Sequence, residues 1–144
     1  MSSSDVHNLT ILVIDGNDHD RQYFTTRLRL SCADCVVLEA VEGKSGLDLC
    51  ESQKIDCVVL DLDLPDTSGF EILVRLVPVV SRPSIAIIVL THTDHDMLRT
   101  LALKNGAFAY LIKGHTSSDV LEKTIRKAMN AIIPKTTDRR SIWD

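Results

Sequence analysis

Four short runs along the chain are almost wholly apolar and rich in β-branched residues: Leu9–Ile14, Cys57–Leu60, Ile85–Leu90 and Phe108–Ile112. A fifth run, Cys35–Ala40, admits polar positions. Continuous apolar runs of this kind suit strands of a parallel sheet covered on both faces, and the mixed run suits an edge strand with one wetter side. Between the runs the spacing of apolar residues predicts five helices, over about 18–30, 44–53, 69–77, 94–105 and 118–133. The second carries glycine at both ends of its first turn, Gly43 and Gly46, which shortens what can be helical. The third opens on Ser68-Gly-Phe-Glu71, a capping-box spacing in which Ser68 accepts from the Glu71 amide and the Glu71 side chain returns to the cap amide. The fourth closes on Asn105-Gly106, a pair suited to a left-handed stop. The last gathers Val120, Leu121, Ile125, Ala128, Met129, Ile132 and Ile133 on one stripe, opposite Lys123, Arg126, Lys127 and Asn130, and is expected to end before Pro134.

Strict strand–helix alternation implies right-handed crossovers and an α/β fold, a doubly wound (βα)5 parallel sheet. For five strands the order 2-1-3-4-5 places a binding crevice at the carboxyl ends of strands 1 and 3. One domain is expected over residues 9–133, after a flexible N-terminus over 1–8. Residues 134–144, with the single tryptophan Trp143, read as a C-terminal extension or linker.

Composition narrows the classes. Of 144 residues 44% are apolar and 25% charged, an ordinary globular balance, so the core is aliphatic where only 4% are aromatic. Acids outnumber bases 20 to 16, for a net charge of -4, and no basic block interrupts the chain. That argues against holding nucleic acid directly by phosphate neutralisation. No apolar run approaches the roughly 20 residues of a membrane span, and Met1–Asn8 is polar, so neither a membrane segment nor a secretory signal is expected and the location reads as cytoplasmic. Four cysteines, Cys32, Cys35, Cys50 and Cys57, read as reduced thiols. Cys32-Ala-Asp-Cys35 is a C-x-x-C, but it precedes a strand instead of opening a helix and lacks a second ligand pair, so both cysteines read as incidental.

Chemistry gathers at the strand ends. Asp15 ends strand 1, Asp61 strand 3, Thr91 strand 4 and Lys113 strand 5, and a parallel sheet places all four on one edge. Any one of them has an ordinary structural use as a cap, a turn residue or a solvated charge. Together they suggest phosphoryl transfer to a carboxylate, with Asp61 as nucleophile, a divalent cation held by carboxylates, and Lys113 and Thr91 binding the phosphoryl oxygens.

These residues carry a family resemblance: Asp15 after Leu12-Val-Ile14, Asp61 within Val58-Val-Leu-Asp-Leu-Asp-Leu-Pro65, Gly69, Thr91 after Ile87-Ile-Val-Leu90, and Lys113 after Tyr110-Leu-Ile112. From about Thr10 to Ile133 the chain resembles the receiver domain of two-component response regulators, a flavodoxin-like fold. The resemblance implies a phosphoprotein of phosphorelay signal transduction, with Asp61 as phosphoacceptor. It further implies Thr91 and Lys113 on the phosphoryl group, Mg2+ at Asp15, Asp61 and the Asp63 backbone carbonyl, and Tyr110 turning inward with Thr91 on activation. A histidine kinase or histidine phosphotransfer protein is the implied donor and an output protein or domain the implied recipient.

Three positions depart from the family pattern: Gly16 where a second acid ligates the metal, His92 where a small residue follows the threonine, and Gly114 where proline follows the lysine. Gly16 weakens the cation site while relieving repulsion, since two carboxylates ~5 Å apart repel by roughly 3 kcal/mol at an effective dielectric of about 20. Asp18, in the first turn of helix 1, reads as a cap with a ligand role as the alternative. His92 beside the pocket is expected to limit access and modulate the lifetime of the phosphoryl group. Paired with His95 it suggests a metal site only weakly, since no third ligand shares their face. The rival to a phosphorylated receiver is a degenerate pseudo-receiver that binds partners without phosphorylation. A remote alternative is a haloacid-dehalogenase-like phosphatase, which shares the order Asp61-x-Asp63, Thr91, Lys113 but places its nucleophile on the first strand and an acidic pair after the lysine, where only Asp119 follows here.

Overall fold

A computed structural model of the chain describes residues 8–77 and 85–143, with side chains through Ile132. Strands β1 (Leu9–Ile14), β2 (Cys35–Ala40), β3 (Cys57–Leu60), β4 (Ala86–Thr91) and β5 (Ala109–Ile112) form one sheet in the order β2-β1-β3-β4-β5. All neighbours are parallel. They alternate with α1 (Asp18–Ser31), α2 (Gly43–Ser52), α3 (Gly69–Leu76), α4 (Asp96–Lys104) and α5 (Ser118–Trp143). The doubly wound (βα)5 architecture is thus the one the alternation implied. Of the N-terminus expected to be flexible over 1–8, residues 1–7 lie outside the described residues, as do the side chains of Ile133, Pro134 and Trp143.

Strand alternation builds two cores. Leu12, Ile14, Val58, Leu60, Ile87 and Val89 face α2, α3 and α4 through Leu47, Ile72, Leu73 and Ala102. Ile11, Val13, Val59, Ile88 and Leu90 face α1 and α5 through Phe24, Leu28, Leu121, Ile125 and Met129. Strands β3 and β4 are buried at every position, whereas β2 at the edge is not. The register sets the level of the strand ends: Ile14 pairs with both Ala40 and Leu60, so Asp15 and Asp61 leave adjacent strands side by side.

Helix ends show what local signals resolve. Ser68 caps α3, but its side chain accepts from the Phe70 amide at 3.1 Å, and the Glu71 amide goes to the Ser68 carbonyl, so the expected Ser68–Glu71 exchange is replaced by a contact one residue closer. Helix α2 forms fully because Asp66, from the loop after β3, accepts from the Gly43 and Lys44 amides at 2.8 and 2.9 Å. Helix α4 starts at Asp96, with His95 as cap, and stops at Gly106 with φ +107°. Helix α5 does not end before Pro134 but runs to Trp143. A proline inside a helix removes one donor at a cost of about 3 kcal/mol, and no glycine or second proline follows it to supply a stop.

The cysteine expectation is corrected. Cys32 and Cys35 are joined in a disulfide, while Cys50 and Cys57 are free. The turn explains it: the Cys35 amide donates to the Cys32 carbonyl at 3.1 Å and brings the Cα atoms to 5.3 Å, within bridging range. Burial pushes the thiols of Cys50 and Cys57 up.

Two outcomes are expected. In chain purified without reductant, alkylation under denaturing conditions should label two cysteines, and all four after reduction, as read by intact mass. Gly69→Ala should lower stability by about 1–3 kcal/mol in urea melts, because a Cβ at Gly69 would press on the Asp61 carbonyl and the Leu62 Cα.

Candidate functional site

Lys113 is the first residue past β5 and opens a single 3-10 turn, Lys113–His115, closed by the Thr116 hydroxyl donating to the Ile112 carbonyl at 2.7 Å. Its side chain, 3% exposed, runs beneath the edge of the sheet. There the ammonium meets Asp15 Oδ2 at 2.8 Å, Asp61 Oδ2 at 2.9 Å and Asp20 Oδ2 at 3.0 Å. An ammonium has three N–H donors, and each has a carboxylate oxygen here. Burial opposes the charge on Lys113, but the hydrogen bonds it donates to Asp15, Asp61 and Asp20 outweigh it and hold the pKa well above the usual lysine range. For Asp15 burial wins and raises the carboxyl, despite Lys113 and the Asn17 amide, with the Asp61 charge adding to the rise. For Asp20 burial is outweighed by Lys113 and His92, and the pKa is lowered.

Asp15 and Asp61 are each held by the loop that follows their strand. The Asn17 amide donates to Asp15 Oδ1 at 2.8 Å. Arg21, buried on α1, donates to the Asp15 carbonyl at 2.8 Å, to Asp18 at 2.7 Å and to Glu39 on β2 at 2.8 Å. Asp61 Oδ1 accepts from the Asp63 amide at 3.2 Å, in a loop closed by an Asp63–Ser68 bridge and the Gly69 amide on the Leu62 carbonyl.

Asp18 is neither cap nor pocket residue. Asn17 caps α1, accepting from the Asp20 amide at 2.9 Å, and Arg21 draws Asp18 outward, with a side chain 75% exposed. Asp20, two residues on and therefore about 200° around the helix, points back into the crevice. Reading the sequence did not single out Asp20 or Arg21. The available signal was spacing: Asp20 stands four residues before Phe24 and eight before Leu28, both buried, so an acid heads the apolar stripe of α1.

Thr91 is buried at the end of β4 and paired in register with Ile112, with its hydroxyl accepting from the Thr93 amide at 3.4 Å. Tyr110 is turned inward, 5% exposed, its hydroxyl donating to the Thr93 carbonyl at 2.6 Å and Arg99 donating to its carbonyl at 3.1 Å. His92, its side chain 67% exposed, reaches Asp20 with Nε2 at 2.9 Å, while His95 Nδ1 accepts from the Met97 amide. The two histidines therefore have separate partners. Space at Gly16 is closed: a Cβ there would meet the Pro65 ring at 2.8 Å. Gly114, by contrast, is surrounded by open space.

The family model described as response regulator receiver domain matches residues 11–126. The nitrate/nitrite response regulator protein NarL of Escherichia coli K12 is 32% identical over 126 residues, 86% of this chain and 56% of NarL, so this chain spans about half that relative's length. Protein PilH of Pseudomonas aeruginosa is 28% identical over 123 residues, 85% of this chain and 96% of PilH. Among solved structures, a receiver domain protein from Clostridium thermocellum aligns at TM-score 0.70 with 30% identity, covering 85% of this chain and 95% of that one. A CheY-like receiver domain protein from Methanospirillum hungatei shares the fold at TM-score 0.78 over 90% of this chain and 99% of that one, with 22% identity. A sheet of this order, carboxylates and a lysine meeting at its edge, and a family match across both cores lead to one conclusion: the chain belongs to the response regulator receiver domains.

Proposed function

We propose that Asp61 accepts a phosphoryl group from a histidine kinase or histidine phosphotransfer protein, and that Thr91 and Tyr110 pass the change to a downstream output protein or domain. The supporting observation is the buried Lys113 ammonium held between Asp15 and Asp61 at the ends of three strands. Receiver domains in general are phosphoacceptors, and enzymatic relatives such as the methylesterase of Myxococcus xanthus are longer proteins, of which this chain covers 34%. In the proposed step an Asp61 oxygen forms a bond to phosphorus as the phosphorus–nitrogen bond of a phosphohistidine breaks, and the imidazole leaves with the electron pair. Lys113 then exchanges a carboxylate contact for a phosphoryl oxygen, and the Thr91 hydroxyl donates to another.

Receiver domains generally hold Mg2+ at this pocket. The donor set here suits such a hard cation: carboxylate oxygens from Asp15 and Asp61, with the Asp63 carbonyl in the adjoining loop. When bound, the cation offsets charge on the phosphoryl oxygens. Asp20 compensates for Gly16, bringing a third carboxylate from α1 where the Pro65 ring crowds the place of one at the end of β1. Three carboxylates against one ammonium leave a deficit of two positive charges, the charge of such a cation. His92, bonded to Asp20, lies at the mouth and modulates access.

A second reading, a pseudo-receiver that binds its partner without phosphorylation, is favoured by Gly16, which follows Asp15 where the family pattern has a second acid.

After treatment with a small phosphodonor and Mg2+, intact mass should show one base-labile adduct, absent from Asp61→Asn. An adduct that persists in that variant refutes the assignment; no adduct in the parent chain, with unchanged partner binding, establishes the second reading. In calorimetric titration Asp20→Asn should weaken Mg2+ binding about tenfold, as expected when ligand charge is lost. Asp18→Asn removes the same charge outside the pocket and should change affinity less than about twofold by the same logic. Equal effects of the two variants would assign Asp20 no place at the cation.

A further inference from the structure

The disulfide lies at the opposite edge of the sheet from the carboxylates, between the end of α1 and the start of β2. We propose that Cys32 and Cys35 form a thiol–disulfide exchange site that reacts reversibly with low-molecular-weight thiols and their disulfides. As a staple the bond has little to do. It closes a loop with a sequence separation of 3, which restricts the unfolded chain far less than a long loop does.

The two sulfurs are unequal. Cys32 is 2% exposed and caps α1, whereas Cys35 is half-buried on the edge strand, so the proposal assigns attack to Cys35, the more exposed residue of the pair. The leaving group is then the Cys32 sulfur, and a donor is already directed at it: Arg126 Nη2 of α5 lies 3.0 Å away. Arg126 is held there by Glu122 at 3.3 Å and by Asp34 at 3.7 Å. Asp34 Oδ1 lies 3.2 Å from the same sulfur, placed to accept the S–H once the departing thiolate is protonated. The surrounding charged groups are thus Arg126, Asp34 and Glu122, and either form of Cys32 has a hydrogen-bond partner.

The exchange balances. A thiolate attacks Cys35 Sγ, forming a mixed disulfide as the Cys32–Cys35 bond breaks with its electron pair on Cys32. A second thiol then releases Cys35 as a thiol and the small molecule as its disulfide, so the protein gains two electrons and two protons. The reverse reaction, with the small-molecule disulfide as oxidant, restores the bond. Attack at the more exposed residue and the Arg126 donor on the departing sulfur favour such exchange, against the Asp34 carboxylate 3.2 Å from the same sulfur.

The test uses the folded, oxidised full chain in defined mixtures of reduced and oxidised glutathione, quenched with acid and read by intact mass and peptide mapping. The proposal expects reversible interconversion without denaturant and, in the parent chain, a mixed disulfide on Cys35. Cys32→Ser should take up glutathione at Cys35, and Cys35→Ser should react at Cys32 at least about tenfold more slowly. Arg126→Gln should slow reduction roughly threefold while Arg126→Lys keeps most of the rate. A bond that resists glutathione until the chain is unfolded overturns the proposal, as does a mixed disulfide found on Cys32. Zinc that protects both thiols of the reduced chain from alkylation also overturns it, assigning Cys32, Asp34 and Cys35 to a metal site instead.

Discussion

A lysine ammonium taken out of water needs negative partners, and buried carboxylates need a cation, so Lys113, Asp15 and Asp61 at the edge of this sheet stabilise one another or not at all. Removing one partner of such a buried set typically costs about 3–5 kcal/mol, because the charge left behind is uncompensated. The partners come from three strands, β1, β3 and β5, which are not consecutive in sequence. Their meeting therefore depends on the sheet order β2-β1-β3-β4-β5 and on the level at which Ile14 pairs with Leu60. The same dependence runs in reverse. Loops that let the carboxylates drift apart would leave Lys113 buried without compensation, so the loops have to be firm.

They are made firm by contacts between distant segments. Arg21 ties the Asp15 carbonyl to α1 and to Glu39 on the neighbouring strand, and Glu39 is shared with Arg29. The loop after β3 reaches across to cap α2 through Asp66, whose carboxyl is held low chiefly by the two amides it accepts from. That loop also sets Pro65 against Gly16, so the residue missing from the family pattern is not an empty position. The ring crowds it, and α1 supplies Asp20 from another direction.

Much of the fold was legible along the chain. Strands buried on both faces must be continuously apolar, and β1, β2 and β3 have the bounds that their runs of residues implied. Asp15, Asp61, Thr91 and Lys113 were legible as strand-end residues, because a parallel sheet sends every strand's carboxyl end to one edge. Local chemistry was less reliable where two partners compete. Ser68 had both the Phe70 and Glu71 amides within reach, and the Cys32–Cys35 turn depended on a backbone bond that spacing does not reveal.

The sequence by itself determined the alternation of elements, the fold class that alternation requires, and the four strand ends where charge and hydroxyl groups collect. Hydrophobic periodicity and chain direction suffice for these, since both are properties of short segments. Only the tertiary structure decided which acids reach Lys113. Asp18 and Asp20 are chemically identical and two residues apart, and the choice between them rests on helix phase and on Arg21, which is buried between α1 and β2 and holds Asp18 outward. Only the tertiary structure decided that Pro65 fills the space beside Gly16 and that Arg126 stands over Cys32, since these contacts join residues far apart in the chain, and no local pattern encodes a distance between segments that meet only when the sheet is assembled.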